Sequence, residues 1–140
     1  MKAQLNFESG MRLIGTNERG NTTAFDTTEE HGGNGSAASP MEILLQSTAA
    51  CSALDIVSIL NKKRKTITSL VIDLEAERAD TYPRVFTSMK FIYRLVSPDA
   101  SQADLERAVE MSQTTYCSAA AMATRSGCTL TFECIVTQPS

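Results

Sequence analysis

Apolar and polar residues alternate in several segments of the chain, which is the pattern of half-buried strands. The alternation predicts six strands, over residues 3–8, 11–17, 22–26, 67–78, 84–96 and 128–137. The fourth and fifth strands flank the turn Asp80-Thr81-Tyr82-Pro83, and each collects its apolar side chains on one side. These two strands therefore predict an antiparallel hairpin with one buried face.

A long apolar segment predicts a central helix. Ser39-Pro40-Met41-Glu42 has the pattern of a capping box, with proline at the first helical position. From residue 43 to residue 60 the only charged side chain is Asp55. Because an amphipathic surface helix carries a polar stripe at a period of 3.6 residues, we expect this helix to be buried nearly all round.

Two shorter helices are predicted after the hairpin. The first covers about residues 101–113, with Ser101 and Asp104 as its cap, and the second is an alanine-rich segment from 117 to 123 that Gly127 ends. A polar, glycine-rich loop occupies residues 27–39. Strands cluster rather than alternate with helices, so the fold class is α+β. The length of 140 residues fits a single domain, 1–140.

Composition narrows the functional classes. The net charge of −3 gives no reason to expect a nucleic-acid partner, and the basic run Lys62-Lys63-Arg64-Lys65 complements the negative end of the preceding helix. No run of eighteen or more apolar residues and no signal-peptide block are found, which predicts a soluble cytoplasmic protein without a membrane span. His31 is the only histidine, and the cysteines show no C-x-x-C spacing, so the residues give little reason to expect a metal site.

Cys51 lies in the middle of the long helix. Ser47, Thr48 and Asp55 fall one turn away on its face, which suggests that this face borders a small polar pocket. The commoner interpretation of a lone helical cysteine is a small core side chain. Because Asp55 would disfavour a thiolate, a reactive Cys51 needs a cation from elsewhere. The candidate is Arg12, with Arg19 behind it.

Cys117 differs, because it stands at the start of a helix. Exposed N–H groups and the positive helix end lower a thiol pKa there, although a packing role at the N-cap is an equal alternative. Cys128 and Cys134 fall on one face of the last strand and are expected in the core. Two cysteines, one activated and one within reach, would suffice for a thiol peroxidase that passes through a sulfenic acid to a disulfide.

Several of these residues together resemble the OsmC/Ohr family, the osmotically inducible and organic-hydroperoxide-resistance proteins. The resemblance covers essentially the whole chain and is carried by the glycine-rich loop, the run from Ser39 to Leu45, Ala49-Ala50-Cys51 and Tyr116-Cys117-Ser118. It implies antiparallel sheets around a long central buried helix, in an intertwined homodimer with the site at the subunit interface.

The resemblance also implies roles for residues. Cys51 would be the peroxidatic thiol and Cys117 the resolving thiol, in an enzyme that reduces organic hydroperoxides without a metal or an organic cofactor. Electrons would come from a dithiol, in some members a lipoylated protein. Arg12 matches the family arginine. Met41 stands where the peroxidases carry a glutamate, and Glu42, which follows it, is the candidate catalytic carboxylate, although one residue along a helix turns its side chain by about 100°.

Three functions follow from these observations. The first is a thiol-dependent peroxidase that uses Cys51 and Cys117. The second is a non-enzymatic redox sensor or small-ligand binder, which the Met41 departure favours. The third is a structural dimer whose cysteines only pack the core.

Overall fold

The computed structural model describes all 140 residues, Met1–Ser140. The chain divides into two compact units, Met1–Leu44 and Leu45–Ser140, and each is described by itself. The sequence-based prediction of one domain over 1–140 stays a prediction.

The first unit contains a three-stranded antiparallel sheet. Strands β1 (Ala3–Ser9), β2 (Arg12–Asn17) and β3 (Thr22–Phe25) pair in the order β1-β2-β3. All three match the predicted strands to within a residue or two. The register is interrupted between Phe7 and Ser9, and Arg12 pairs with Ser9 beyond the irregularity.

The loop after β3 is organised around a buried carboxylate, Asp26. This carboxylate accepts hydrogen bonds from the Thr27 N–H at 2.8 Å, from the Ser36 N–H at 3.0 Å and from the Ser36 hydroxyl at 2.5 Å. Gly33 packs so closely that an added Cβ would lie 2.1 Å from the Thr27 carbonyl oxygen. The glycine-rich loop is thus folded tightly onto Asp26, with a short 3₁₀ turn at Glu29–His31.

We expect Ser36→Ala to raise the pKa of Asp26. Hydrogen bonds from the hydroxyl and the N–H of Ser36 lower that pKa from 3.8 to about 2. The ionised carboxylate therefore stabilises the folded loop at any pH above the pKa of Asp26 in the unfolded chain. This stabilisation is lost as the pH falls through about 2. An NMR titration of the Asp26 carboxyl in both proteins measures the shift. Ser39→Ala is the matched control, and an unchanged Asp26 midpoint in Ser36→Ala would contradict the assignment.

Helix α1 (Pro40–Lys62) begins as the sequence predicted. The Glu42 side chain accepts from the Ser39 N–H at 2.7 Å, and the Ser39 hydroxyl accepts from the Glu42 N–H at 3.4 Å. The capping box is therefore confirmed. The pKa of Glu42 lies below its usual value because the Ser39 N–H and hydroxyl both donate to the carboxylate.

The prediction that α1 is buried nearly all round is wrong for the single chain. Its buried residues form one stripe, made of Thr48, Ala49, Ser52, Ile56 and Leu60. Leu54 on another face is 73% exposed. The lack of charged residues along α1 correctly indicated an apolar helix surface. Other residues of the same chain cover only one stripe of that surface. Helix α1 is long enough, and with a mean hydropathy of 1.7 apolar enough, to cross a membrane. The core helices of soluble proteins also meet these two criteria.

The second unit contains a mixed sheet of β4 (Ser69–Arg78), β5 (Phe86–Val96) and β6 (Thr129–Thr137), in the order β4-β5-β6. The predicted β4–β5 hairpin is antiparallel and is confirmed. Strand β6 runs parallel to β5, so the expectation of antiparallel sheets fails at this strand. Its cause is the long connection through two helices, which returns the chain in the same direction.

The core of the second unit lies between this sheet and the helices. Phe91, Tyr93 and Leu95 project from β5 and are almost completely buried, as their alternation predicted. Ile56 of α1 and Leu105 of the next helix join them in one cluster. The central strand therefore packs against the helix that carries Cys51.

Two helices separate β5 from β6. Helix α2 (Gln102–Met111) starts with a capping box of Ser101 and Asp104, and α3 (Ser118–Arg125) follows. Between them the chain forms a π-helical turn, Ser112–Tyr116. The two helices were predicted with ends one to two residues away, but the π turn was not.

Candidate functional site

The thiols of Cys51 and Cys117 are neighbours, because interaction with the Cys51 thiol raises the pKa of Cys117. Cys51 is half-buried on α1, and Cys117 is 3% exposed at the N-terminus of α3. Neither cysteine is in a disulfide. The fold of the second unit thus brings together two cysteines that are far apart in the sequence.

The surroundings of Cys117 favour its protonated form. Its Sγ accepts from the Ala120 N–H at 3.4 Å and lies 3.9 Å from the Thr48 carbonyl oxygen. Burial raises the pKa of Cys117 to about 11, and contacts with Cys51 and the charge of Asp55 act in the same direction. The prediction of a lowered pKa at this helix start is therefore wrong, because desolvation outweighs the single N–H bond.

A buried network of polar side chains lies beside the thiols. Ser52 follows Cys51 on α1, and its hydroxyl is 2.8 Å from the Tyr93 hydroxyl. The Gln113 amide nitrogen donates to both hydroxyls, at 3.0 and 2.7 Å. Burial raises the pKa of Tyr93 to about 12, so this hydroxyl stays neutral and only hydrogen-bonds.

Ser112 extends this network to a carboxylate. Its hydroxyl donates to Asp55 Oδ2 at 2.9 Å and lies 3.2 Å from Ser52 Oγ. The amide oxygen of Gln113 is buried without a hydrogen-bond partner in the chain. Of the polar residues predicted on the face of Cys51, Asp55 joins this network, whereas Ser47 is exposed.

Asp55 also borders a groove of about 440 Å³. The groove is lined by Asp55, Ser58, Ile59, Lys62, Lys63, Met111 and Tyr116. Its walls combine apolar side chains with two lysines, and Tyr116 directly precedes Cys117 in the chain. A surface of this kind accommodates a small molecule that has both apolar and polar parts.

Arg12 and Glu42 belong to the first unit, where both have partners. The Arg12 guanidinium pairs with Glu8 at 2.5 Å and donates to the Ser36 hydroxyl at 2.9 Å. Glu42 is engaged by Ser39 in the α1 cap. Arg19 lies in the turn between β2 and β3, where its N–H donates to the side chain of Asn17. Catalytic roles for Arg12 and Glu42 stay predictions.

The remaining cysteines behave as core residues, as expected. Cys128, just before β6, is part of the buried cluster, and Cys134 packs against it. Burial raises the pKa of both thiols.

His31 bonds locally to Thr28 at 2.9 Å, and no group of three or more His, Cys, Asp or Glu side chains is placed to hold a metal ion.

Sequence reasoning missed three residues of the site, namely Ser112, Gln113 and Tyr93. The only sequence signal was the interruption at Thr114-Thr115-Tyr116, which separated two helical patterns. This interruption indicated where the first helix ends. It did not indicate a π turn whose Ser112 and Gln113 side chains bond to α1. Tyr93 was assigned to the core by its alternation, which could not show that its hydroxyl bonds to Ser52.

The fold and the paired thiols define a class of small α+β proteins with two cysteines in one buried site. The model of the OsmC-like protein family matches residues 33–133, which includes both cysteines. The chain belongs to this family.

The chain is also similar to individual proteins. Protein YhfA of Escherichia coli K12 is 34% identical over 123 residues, which cover 87% of this chain and 88% of the relative. A hypothetical protein from Aquifex aeolicus has a solved structure with a TM-score of 0.85 and 27% identity, over 99% of this chain and 97% of that one. An organic hydroperoxide resistance protein OsmC from Legionella pneumophila shares the fold, with a TM-score of 0.67 and 16% identity, over 96% and 95% of the two chains.

Proposed function

We propose that the protein is a cysteine-based peroxidase that reduces organic hydroperoxides through Cys51 and Cys117. The proximity of these two thiols, seen in the effect of Cys51 on the pKa of Cys117, is the observation that carries the proposal. Family membership and the structural relative named as an organic hydroperoxide resistance protein support it.

In the first step the Cys51 thiolate attacks the terminal oxygen of the hydroperoxide. The O–O bond breaks, an S–O bond forms, and the alkoxide takes a proton and leaves as an alcohol. Cys51 becomes a sulfenic acid and the peroxide gains two electrons. Cys51 suits this step because it is the more accessible thiol of the pair.

In the second step the Cys117 sulfur attacks the Cys51 sulfur. An S–S bond forms, the S–O bond breaks, and hydroxide leaves as water with the proton that Cys117 gives up. The raised pKa of Cys117 keeps it a thiol at rest, so it does not compete with Cys51 for the peroxide. An external dithiol then reduces the disulfide by exchange.

A homodimer is part of this proposal. Leu5 and Phe7 on β1 are 58% and 70% exposed, and Leu54 of α1 is exposed as well. In this proposal a second copy of the chain covers these side chains. On the family resemblance, Arg12 would stabilise the Cys51 thiolate, and the protein would act in the cytoplasmic response to oxidative stress.

Turnover with a model substrate tests the proposal. We expect the protein to consume many equivalents of cumene hydroperoxide when dihydrolipoamide is present, with one cumyl alcohol formed for each dithiol oxidised. Hydrogen peroxide serves as the comparison substrate and dithiol without protein as the blank. A rate equal to the blank would reject the enzymatic function.

A redox sensor or ligand binder is the second candidate. Met41 in place of the family glutamate favours it, because Glu42, one position later, already caps α1. It predicts that both thiols are oxidised once by hydroperoxide, without sustained turnover under the same conditions.

A further inference from the structure

The π turn Ser112–Tyr116 determines where Cys117 begins α3. The turn is closed by the Cys117 N–H, which donates to the Ser112 carbonyl oxygen at 2.7 Å. A π turn holds one residue more than an α-helical turn, and such turns are frequent at functional sites. The position of the Cys117 backbone therefore depends on how Ser112 is held.

Ser112 is held by the helix that carries Cys51. Its side chain is fully buried, and its hydroxyl donates to Asp55 Oδ2 at 2.9 Å. Asp55 lies one helical turn after Cys51 on the same face of α1. A hydrogen bond to a carboxylate is stronger than one between neutral groups, so this contact ties the turn before Cys117 to the helix segment that bears Cys51.

Gln113 provides a weaker second tie. Its amide donates to Ser52 on α1 and to Tyr93 on β5. These neutral hydrogen bonds hold the same turn against two elements, but they leave the Gln113 amide oxygen without a partner. The bond between Ser112 and Asp55 is the only one of these contacts that involves a charged group.

We propose that Ser112 and Asp55 are positioning residues, whose hydrogen bond holds Cys117 where it can form a disulfide with Cys51. Disulfides form only within narrow limits of separation and direction. A small displacement of the turn therefore lowers the effective concentration of one thiol toward the other. The role of this hydrogen bond in peroxide reduction rests on the proposed function. Disulfide formation between Cys51 and Cys117 can be measured separately, with a small disulfide as the oxidant.

Equilibration with glutathione measures the pairing directly. Cys51 attacks glutathione disulfide and releases one glutathione, and Cys117 then attacks the Cys51 sulfur and releases the second, so two electrons pass from the protein to glutathione. We expect Ser112→Ala and Asp55→Ala each to lower the ratio of disulfide to dithiol protein at least about tenfold at fixed glutathione. Such a factor corresponds to about 1.4 kcal/mol.

A double-mutant cycle and two further variants separate positioning from other effects. The double variant should lose no more than either single variant, because both remove one hydrogen bond. Asp55→Asn keeps an oxygen that accepts from Ser112 while it removes the charge, so its ratio should fall less than that of Asp55→Ala. Thr114→Ala is the matched control, since that hydroxyl belongs to the same turn but bonds to the Glu110 carbonyl of α2 and to the neighbouring Thr115 hydroxyl, not to α1.

The measured ratios show whether Ser112 and Asp55 position Cys117 or only pack in the core. Ratios within about threefold of the wild type in Ser112→Ala and Asp55→Ala would overturn the inference, as would additive losses in the double variant. If Ser112→Ala fails to fold, the comparison of Asp55→Ala with Asp55→Asn gives the same decision. A protein that follows this glutathione pattern but reduces no hydroperoxide would reject the proposed function and leave the positioning intact.

Discussion

Cys51→Ser is expected to lower the rate of cumene hydroperoxide consumption by at least about a hundredfold, which is about 2.7 kcal/mol of lost transition-state stabilisation. Serine preserves the size of the side chain, but its hydroxyl is not ionised at neutral pH and is a poor nucleophile without a general base. The rate of hydroperoxide loss with excess dithiol measures the effect.

Two other cysteine variants show whether the loss of rate is specific to Cys51. Cys134→Ser changes a half-buried thiol that packs against the core, and the rate should stay within about twofold of the wild type. Cys117→Ser should still reduce one equivalent of hydroperoxide and then hold Cys51 as a sulfenic acid, detectable by its reaction with dimedone. Equal rates in Cys51→Ser and the wild type would remove the basis of the proposed mechanism.

Ile56→Ala is expected to destabilise the protein by about 2–5 kcal/mol. Ile56 is fully buried on the inner stripe of α1 and belongs to the core cluster with Phe91 and Leu105. Its truncation leaves a cavity between α1 and the sheet. Because total stabilities are only about 5–15 kcal/mol, a loss of this size is easily seen in denaturant unfolding.

Ser58→Ala is the control for this stability prediction. Ser58 lies on the same helix but is exposed, so its change should stay within about 0.5 kcal/mol. Both variants are compared at one protein concentration, because self-association contributes to apparent stability. A loss below about 0.5 kcal/mol for Ile56→Ala would show that the inner stripe of α1 is not packed as described.

Local patterns predicted the elements of this fold well. The Ser39–Glu42 capping box and the alternation along β5 each depend on neighbouring residues, and both are confirmed. The parallel pairing of β6 was not predicted, because strand direction depends on the path of the chain through α2 and α3. The OsmC-like resemblance, carried by the segments around Cys51 and Cys117, is also confirmed.

The candidate site was harder to predict, because its properties arise from packing. The helix start at Cys117 suggested a lowered thiol pKa, but burial has the larger effect and raises it. The missing charge along α1 suggested burial on every side, whereas a single chain covers only one stripe. The bond between Ser112 and Asp55 joins residues 57 positions apart and left no local pattern.

A disulfide map after oxidation tests the central claim most directly. The reduced protein is treated with one equivalent of cumene hydroperoxide without a reductant, alkylated, digested and examined by mass spectrometry. The account predicts one disulfide, between Cys51 and Cys117, with Cys128 and Cys134 recovered as alkylated thiols. Recovery of Cys51 and Cys117 as alkylated thiols, or a disulfide that joins either of them to another cysteine, would contradict it.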